Sequence, residues 1–251
     1  KMTSTEIALL LNVDAEKIVK ILGEKGINSY LPEFNWGESS DWYRKLINSE
    51  IFNKDNIYGK YFRVEEGDIV FDAGASIGPF GFSIKDKNYK HIYCIEPSLQ
   101  QIEILKDNLS DMPYTVIPYA IGNKDILIES GFGDNDVDRI VGKSKPFIEI
   151  VEENNIKNID FLKTDCEGGE YNIFSIENLF WIKENVKKIS GEWHLNTPEL
   201  KAQFRIFRDT YLKLFPKHEI NSVCGTEITK SLWDETFIEY YNEILIYIDN
   251  R

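Results

Sequence analysis

Val70-Phe71-Asp72-Ala73-Gly74-Ala75-Ser76-Ile77-Gly78-Pro79-Phe80-Gly81 is the stretch that decides the fold. It reads as a buried strand ending on an acidic residue, Asp72, then a turn of small residues, Gly74, Ala75 and Ser76, then the entry to a helix. In open α/β sheets, ligands lie beyond the carboxyl ends of the strands at such turns. Gly74 and Gly78 let the backbone approach a ligand with no Cβ in the way. The dinucleotide fingerprint, G-x-G-x-x-G, cradles a pyrophosphate on a helix N-terminus. Here the spacing is Asp-x-Gly-x-x-x-Gly, so a nucleoside cofactor without phosphates fits better. The next strand, Ile92-Tyr93-Cys94-Ile95-Glu96, ends on a second acid 24 positions after Asp72. A carboxylate there can accept hydrogen bonds from both ribose hydroxyls. Taken singly, Asp72 reads as a helix cap and Glu96 as a solvated strand end; the ordered pair around a small-residue turn favours the nucleoside.

Working outward, strand-like runs at 68–72, 91–96, 114–118, 159–164 and 186–192 alternate with helical runs at 77–86, 99–109, 147–154, 170–178 and 198–215. That alternation implies a parallel sheet with helices on both faces, and a final pair, 219–223 and 243–249, can form an antiparallel edge. The expected fold is α/β, a doubly wound, mostly parallel seven-stranded sheet over residues 63–251. Residues 30–62, with Pro32, Gly37 and the aromatics Trp42, Tyr43, Phe52, Tyr58 and Tyr61, read as a linker and covering segment. Residues 1–29 read as a small helical appendage. Thr3 and Glu6 have capping-box spacing ahead of Ile7, Leu10 and Leu11, and Asp14 can cap a second helix carrying Ile18, Ile21 and Leu22. The pair resembles the small helical module at the N-terminus of bacterial translation initiation factors, and also a helix-turn-helix, though its charges are too balanced for reading DNA; the plainer reading is a helical hairpin packed on the main domain, with no direct part in chemistry. Lys1 ahead of Met2 reads as an added residue.

Acidic side chains number 42 against 29 basic ones, a net charge of −13, and no basic stripe stands out. A polyanionic partner needs such a footprint, so nucleic acid is disfavoured. The three cysteines, Cys94, Cys166 and Cys224, are scattered without CxxC spacing. That pattern points to a reducing compartment rather than a disulfide framework or zinc site. No apolar run has transmembrane length and the first residues lack signal-peptide character, so no membrane span and a cytoplasmic setting are expected.

The residues also carry a family resemblance. The run Asp72-Ala73-Gly74-Ala75-Ser76-Ile77-Gly78, followed by Glu96-Pro97-Ser98, is similar to the first motifs of class I methyltransferases, and in wording to the FkbM family. Ile159-Asp160-Phe161-Leu162-Lys163-Thr164-Asp165-Cys166-Glu167-Gly168-Gly169-Glu170 resembles that family's I-D-x-L-K-I-D-V-E-G-x-E, with Thr164 and Cys166 as departures. Gly191-Glu192-Trp193-His194 matches its E-x-H. The three motifs stand in the family's order, and the likeness covers about residues 50–249. It implies a methyltransferase using S-adenosylmethionine, whose amine and sulfonium suit an acidic pocket. It places Asp72, Gly74, Ala75, Ser76, Gly78, Glu96, Pro97 and Ser98 around the cofactor, and Tyr119, Ala120 and Ile121 beside the adenine. The acceptor it implies is a hydroxyl of a sugar or other small metabolite.

Methyl transfer is an in-line displacement, so alignment dominates, and an alcohol must lose its proton as it attacks. Asp165 is placed at the end of the fourth strand, and Glu192 and His194, two apart on the fifth, point the same way. Two readings stand. Either His194 or Asp165 acts as general base with Glu167 orienting it, or Asp165, Glu192 and His194 bind magnesium or manganese to polarise the hydroxyl. Glu167 and Glu170 have a further reading as charges complementing a helix N-terminus. The rival classes are an NAD-dependent dehydrogenase or epimerase, against which the missing middle glycine counts, and a relative that keeps the cofactor but not catalysis.

Overall fold

The structure is a computed structural model that describes residues 33–52, 56–130 and 139–251. Side chains alternate between two apolar layers along the central strands: Val70 and Phe161 face one, Phe71 and Leu162 the other. Burial on both faces is what a parallel sheet with helices on each side requires.

The strands are β1 (Ile69–Ala73), β2 (His91–Ile95), β3 (Tyr114–Ile117), β4 (Ala120–Ile121), β5 (Leu127–Ser130), β6 (Arg139–Lys145), β7 (Ile159–Thr164), β8 (Val186–His194), β9 (His218–Ser222) and β10 (Glu243–Asp249). Seven of them form one sheet in the order β3-β2-β1-β7-β8-β10-β9. β3, β2, β1, β7 and β8 run parallel, and β10 pairs antiparallel with both β8 and β9. The sheet switches direction of winding at β1, with β2 on one side and β7 on the other. Register levels the carboxyl ends: Ala73 lies opposite both Ile95 and Thr164, and Thr164 opposite Gly191. The residues that follow these ends therefore share one rim. This is the class I methyltransferase architecture, as the sequence led us to expect.

The helices are α1 (Asp41–Glu50), α2 (Pro79–Ser83), α3 (Leu99–Asn108), α4 (Phe147–Glu153), α5 (Glu170–Ile173), α6 (Ile176–Asn185), α7 (Pro198–Ile206) and α8 (Glu235–Ile238). Three expectations need correction. The helix over 170–178 is two, because Phe174 leaves helical geometry, Ser175 is extended, and the Asn178 amide donates to the carbonyls of Asn172 and Ile173. The helix over 198–215 is α-helical only to Ile206, after which a wider turn and a tight 3-10 turn carry the chain to Leu214. A second sheet, β4-β6-β5, was not anticipated. It leans on the segment after β2: a Cβ on Gly142 would come 2.5 Å from the Pro97 carbonyl oxygen.

Residues 33–52 and 56–62 lie against the Val70 face. Phe34 meets Trp36, Phe52 and Phe82 edge-on, and Asn35 exchanges hydrogen bonds with Asn108 at the end of α3. The Ser40 side chain caps α1 by accepting from the Tyr43 amide. The appendage expected over residues 1–29 lies outside the described residues. Among the described residues, no helix is long and apolar enough to cross a membrane.

β1 and β7 are tied by a buried ion pair, Lys163 Nζ to Asp72 Oδ1 at 3.1 Å, with Asp72 0% exposed. Lys163→Met leaves that carboxylate alone in the core and is expected to cost about 3–5 kcal/mol of stability. Adding Asp72→Asn should restore part of it; urea denaturation of the single and double variants measures both.

Candidate active site

The rim formed by the strand ends is one wall of a cavity of about 2370 Å³. Sites for a single small molecule are typically roughly 300–1,000 Å³, so there is room for a nucleoside cofactor and an acceptor together.

The cofactor end is built by the loop after β1. Gly74 has φ +81°, and a Cβ there would lie 1.7 Å from the Asp165 carbonyl oxygen, so only glycine lets the β1 and β7 loops touch. Lys163 Nζ donates to the Gly74 carbonyl at 2.8 Å and holds this loop from below. Burial disfavours its charge, yet Asp72 and Asp165 flank the ammonium and raise its pKa overall. Glu96 reaches the wall with its carboxylate fixed by two backbone donors, Ser76 N at 2.9 Å and Ser98 N at 2.8 Å. Burial raises the Glu96 pKa against the pull of those two bonds. Each oxygen retains a lone pair for a ribose hydroxyl. Of the residues that the sequence placed around the cofactor, Gly74, Ser76, Glu96, Pro97, Ser98, Tyr119, Ala120 and Ile121 line the cavity. Asp72, Ala75 and Gly78 do not: all three are buried behind the loop, where Asp72 serves the ion pair and Gly78, at φ +87°, starts α2. Their effect on a cofactor is through the shape of the loop.

A nucleoside carrying a sulfonium fits this wall on its own chemistry: a rigid carboxylate for hydroxyls, a Cβ-free turn, and carboxylates beyond it for positive charge.

The other end gathers charge. One ligand-type atom from each of Asp165, Glu192 and His194 lies within 4.8 Å of the others. His194 is 4% exposed, and its Nδ1 lies 3.0 Å from Oε1 of Glu170, which is 0% exposed. Glu170 Oε1 also accepts from the Cys166 amide, so it is a buried anchor for the imidazole rather than only a helix-end charge. His194 Nε2 then faces Glu167 Oε2 at 3.5 Å and Asp165 Oδ1 at 3.9 Å. Burial opposes a charged imidazole, but the bond to Glu170 and the neighbouring Asp165 and Glu167 push its pKa up to about 10. A ring that keeps its proton at neutral pH is a poor general base, which weakens the His194 base reading.

Three residues that sequence reasoning did not assign complete this end. Glu243 on β10 lies directly opposite His194 in the antiparallel register. Tyr58 donates its hydroxyl to Asp165 Oδ2 at 3.0 Å. Glu50, the last residue of α1, lines the same cavity, and burial together with Asp165 and Glu243 pushes its pKa up to about 8. Glu192 is likewise raised well above the carboxylate range, by burial first and then by Asp165, Glu50 and Glu243. Two non-glycine residues of this wall hold left-handed backbone, Ser76 at φ +50° and Glu167 at φ +53°. Such strain costs of order 1–3 kcal/mol each and concentrates where a side chain must be aimed.

Residues 72–219 match the methyltransferase FkbM domain. No curated protein sequence matches the chain. Among solved structures, the chain is similar to an rRNA methylase from Streptococcus thermophilus, at 9% identity and TM-score 0.45, covering 74% of this chain and 88% of that one. It is similar to Aeropyrum pernix fibrillarin carrying natively bound S-adenosyl-L-methionine, at 13% identity and TM-score 0.44, covering 76% and 70%. A precorrin-6y C5,15-methyltransferase from Geobacter metallireducens is similar at 11% identity and TM-score 0.44, covering 89% and 96%.

Glu96→Ala removes the acceptor for ribose hydroxyls and is expected to weaken adenosylhomocysteine binding by roughly 1.5–3 kcal/mol, about 10- to 100-fold. Isothermal titration measures it, and an unchanged affinity would put the ribose elsewhere on the wall.

Proposed function

We propose, for a chain that belongs to the methyltransferase FkbM family and is therefore an S-adenosylmethionine-dependent methyltransferase, that its acceptor is a hydroxyl of a sugar or another small neutral metabolite. The observation that carries this reading is the meeting of Asp165, Glu192 and His194 at the carboxyl ends of β7 and β8, beyond the cofactor wall. S-adenosylmethionine, when bound, supplies a methyl group on a positively charged sulfur. The acceptor oxygen forms the new O–CH₃ bond while the C–S bond breaks and its electron pair stays on sulfur, leaving a neutral thioether. The hydroxyl proton must leave in the same step, and an alcohol gives it up readily only to a positioned acceptor.

Glu167 is placed for that proton. It lines the cavity, stands 3.5 Å from His194 Nε2, and is aimed there by left-handed backbone. His194, fixed by Glu170, orients the carboxylates from behind. Tyr58 does the same for Asp165 from the covering segment.

The acceptor class follows from charge. Glu50, Asp165, Glu167, Glu192 and Glu243 line one end of the cavity, where they outnumber the cations beside them, His194 and the Lys163 ammonium next to Asp165. A phosphorylated or polyanionic acceptor would be repelled there, whereas a neutral polyol offers hydroxyls that carboxylates accept. The formal charge of −13 supports the same preference.

Glu167→Gln is expected to lower turnover by roughly 10²–10⁴-fold with adenosylhomocysteine affinity unchanged. The assay is transfer of labelled methyl to a panel of neutral glycosides and hydroxylated metabolites beside sugar phosphates and RNA. Transfer confined to the anionic acceptors would overturn the acceptor reading; normal turnover in Glu167→Gln would move the proton chemistry to Asp165.

A further inference from the structure

We propose that Asp165, Glu192 and His194 form a binding site for a hard divalent cation of the magnesium and manganese class, set where it would hold the acceptor's hydroxyl. The inference rests on the hydroxyl-methylation reading for its purpose, but the site itself is argued from the side chains.

Glu192 gives the strongest reason. It is 8% exposed, and among the described residues it accepts no hydrogen bond and forms no ion pair. Its carboxylate points to the cluster, within 4.8 Å of the ligand-type atoms of Asp165 and His194. A buried carboxylate with no partner either takes a proton or takes a cation, and this one is aimed at two other metal-ligating groups. The other acids near it, Glu50 and Glu243, add to the deficit of positive charge.

His194 is prepared in the manner of a metal ligand, a cation bound at Nε2 displacing the proton that the surrounding carboxylates otherwise keep there. Its Nδ1 is engaged by the buried Glu170, which directs Nε2 into the cluster. A carboxylate behind the imidazole is the usual arrangement at metal-bound histidines, where it fixes the tautomer and the ring plane. Asp165 is prepared in the same way. Its Oδ2 accepts from Tyr58, and its Oδ1 is the atom that faces His194 Nε2 at 3.9 Å.

The donor set selects the cation. Two carboxylates and one imidazole, with no thiolate among them, suit magnesium or manganese better than a soft metal. Ligand atoms in an octahedral shell with bonds of about 2.1 Å lie about 3 Å apart, so the three side chains would close slightly on binding. Three positions of such a shell remain for oxygen, enough for an acceptor hydroxyl and water. The competing occupant is an ammonium group on the acceptor itself, which would meet the same charge deficit without a metal.

The test uses full-length protein treated with EDTA, desalted and titrated with manganese chloride, free Mn²⁺ being read by electron paramagnetic resonance. The expected result is one Mn²⁺ per chain in the wild type, and binding weaker by roughly 10-fold or more in Glu192→Gln and in His194→Ala. Glu192→Gln keeps the side-chain shape while removing the group's capacity to become an anionic ligand. It should therefore melt no lower than the metal-free wild type, and it should gain no stability from Mn²⁺ where the wild type does. No Mn²⁺ bound at millimolar concentration, or equal binding by Glu192→Gln, would overturn the site. Stabilisation by amine-bearing glycosides but not by Mn²⁺ would also overturn it, in favour of the ammonium. Adenosylhomocysteine titrated into the same samples separates the two claims. A protein that binds the nucleoside and methylates hydroxyls but takes no Mn²⁺ sinks the cation site alone.

Discussion

Lys163 and Asp72 meet in the centre of the sheet with almost no access to water, and the functional rim depends on that pair. Neither charge could remain there without the other, because the desolvation of each is offset only by a partner at hydrogen-bond distance. The same ammonium donates to the Gly74 carbonyl, so one side chain of β7 fixes both the last turn of β1 and the loop that follows it. The β1 loop then touches the β7 loop so closely that Gly74 admits no Cβ. Asp165, two residues beyond Lys163, inherits its position from this contact. The cofactor wall and the position of Asp165 are thus set by one buried interaction.

The charge distribution in the cavity follows from where strand ends fall. Parallel strands in register deliver their next residues to one rim, and in this chain those residues are acids: Glu96 after β2, Asp165 after β7, and Glu192 within the end of β8. At the cofactor end the carboxylate is anchored, with one backbone amide on each oxygen of Glu96. At the acceptor end it is not, and burial first, then the neighbouring acids, lifts Glu50 and Glu192 far above their ordinary range. The difference separates two tasks. An anchored carboxylate is a fixed template for hydroxyls, while unanchored ones are receptive to a proton or a cation.

Local pattern made the fold legible, because strand, turn and helix signals for β1, β2, β3, β7 and β8 agree with the packing that finally decides them. The small sheet was less legible: β4 has two residues, and β5 and β6 are separated by a polar stretch without apolar alternation. Within the site, Asp165, Glu167 and His194 could be placed because each lies at or just past a strand end. Asp72 was misplaced on the cavity wall because strand position tells which rim a residue nears but not whether a lysine directly opposite on the neighbouring strand claims its carboxylate. Glu243 and Glu50 could not be found in the same way. Glu243 reaches His194 through antiparallel pairing across 49 positions of chain, and Glu50 comes from a covering segment whose docking depends on aromatic packing rather than on any motif.

That covering segment gives the site its enclosure, and its hydrogen bonds go to the parts that matter chemically. Tyr43 reaches Ser76, whose left-handed backbone turns its amide toward Glu96. Tyr58 reaches Asp165. Both tyrosines are pushed above their ordinary range by burial, so both hydroxyls stay protonated and able to donate. A segment that merely covered a hydrophobic face would need no such contacts; here the covering segment is hydrogen-bonded to both strained loops. Removal of water from the acceptor end strengthens every electrostatic interaction there, which is why the unpaired acids, tolerable at an open rim, become a demand for positive charge once the segment is in place.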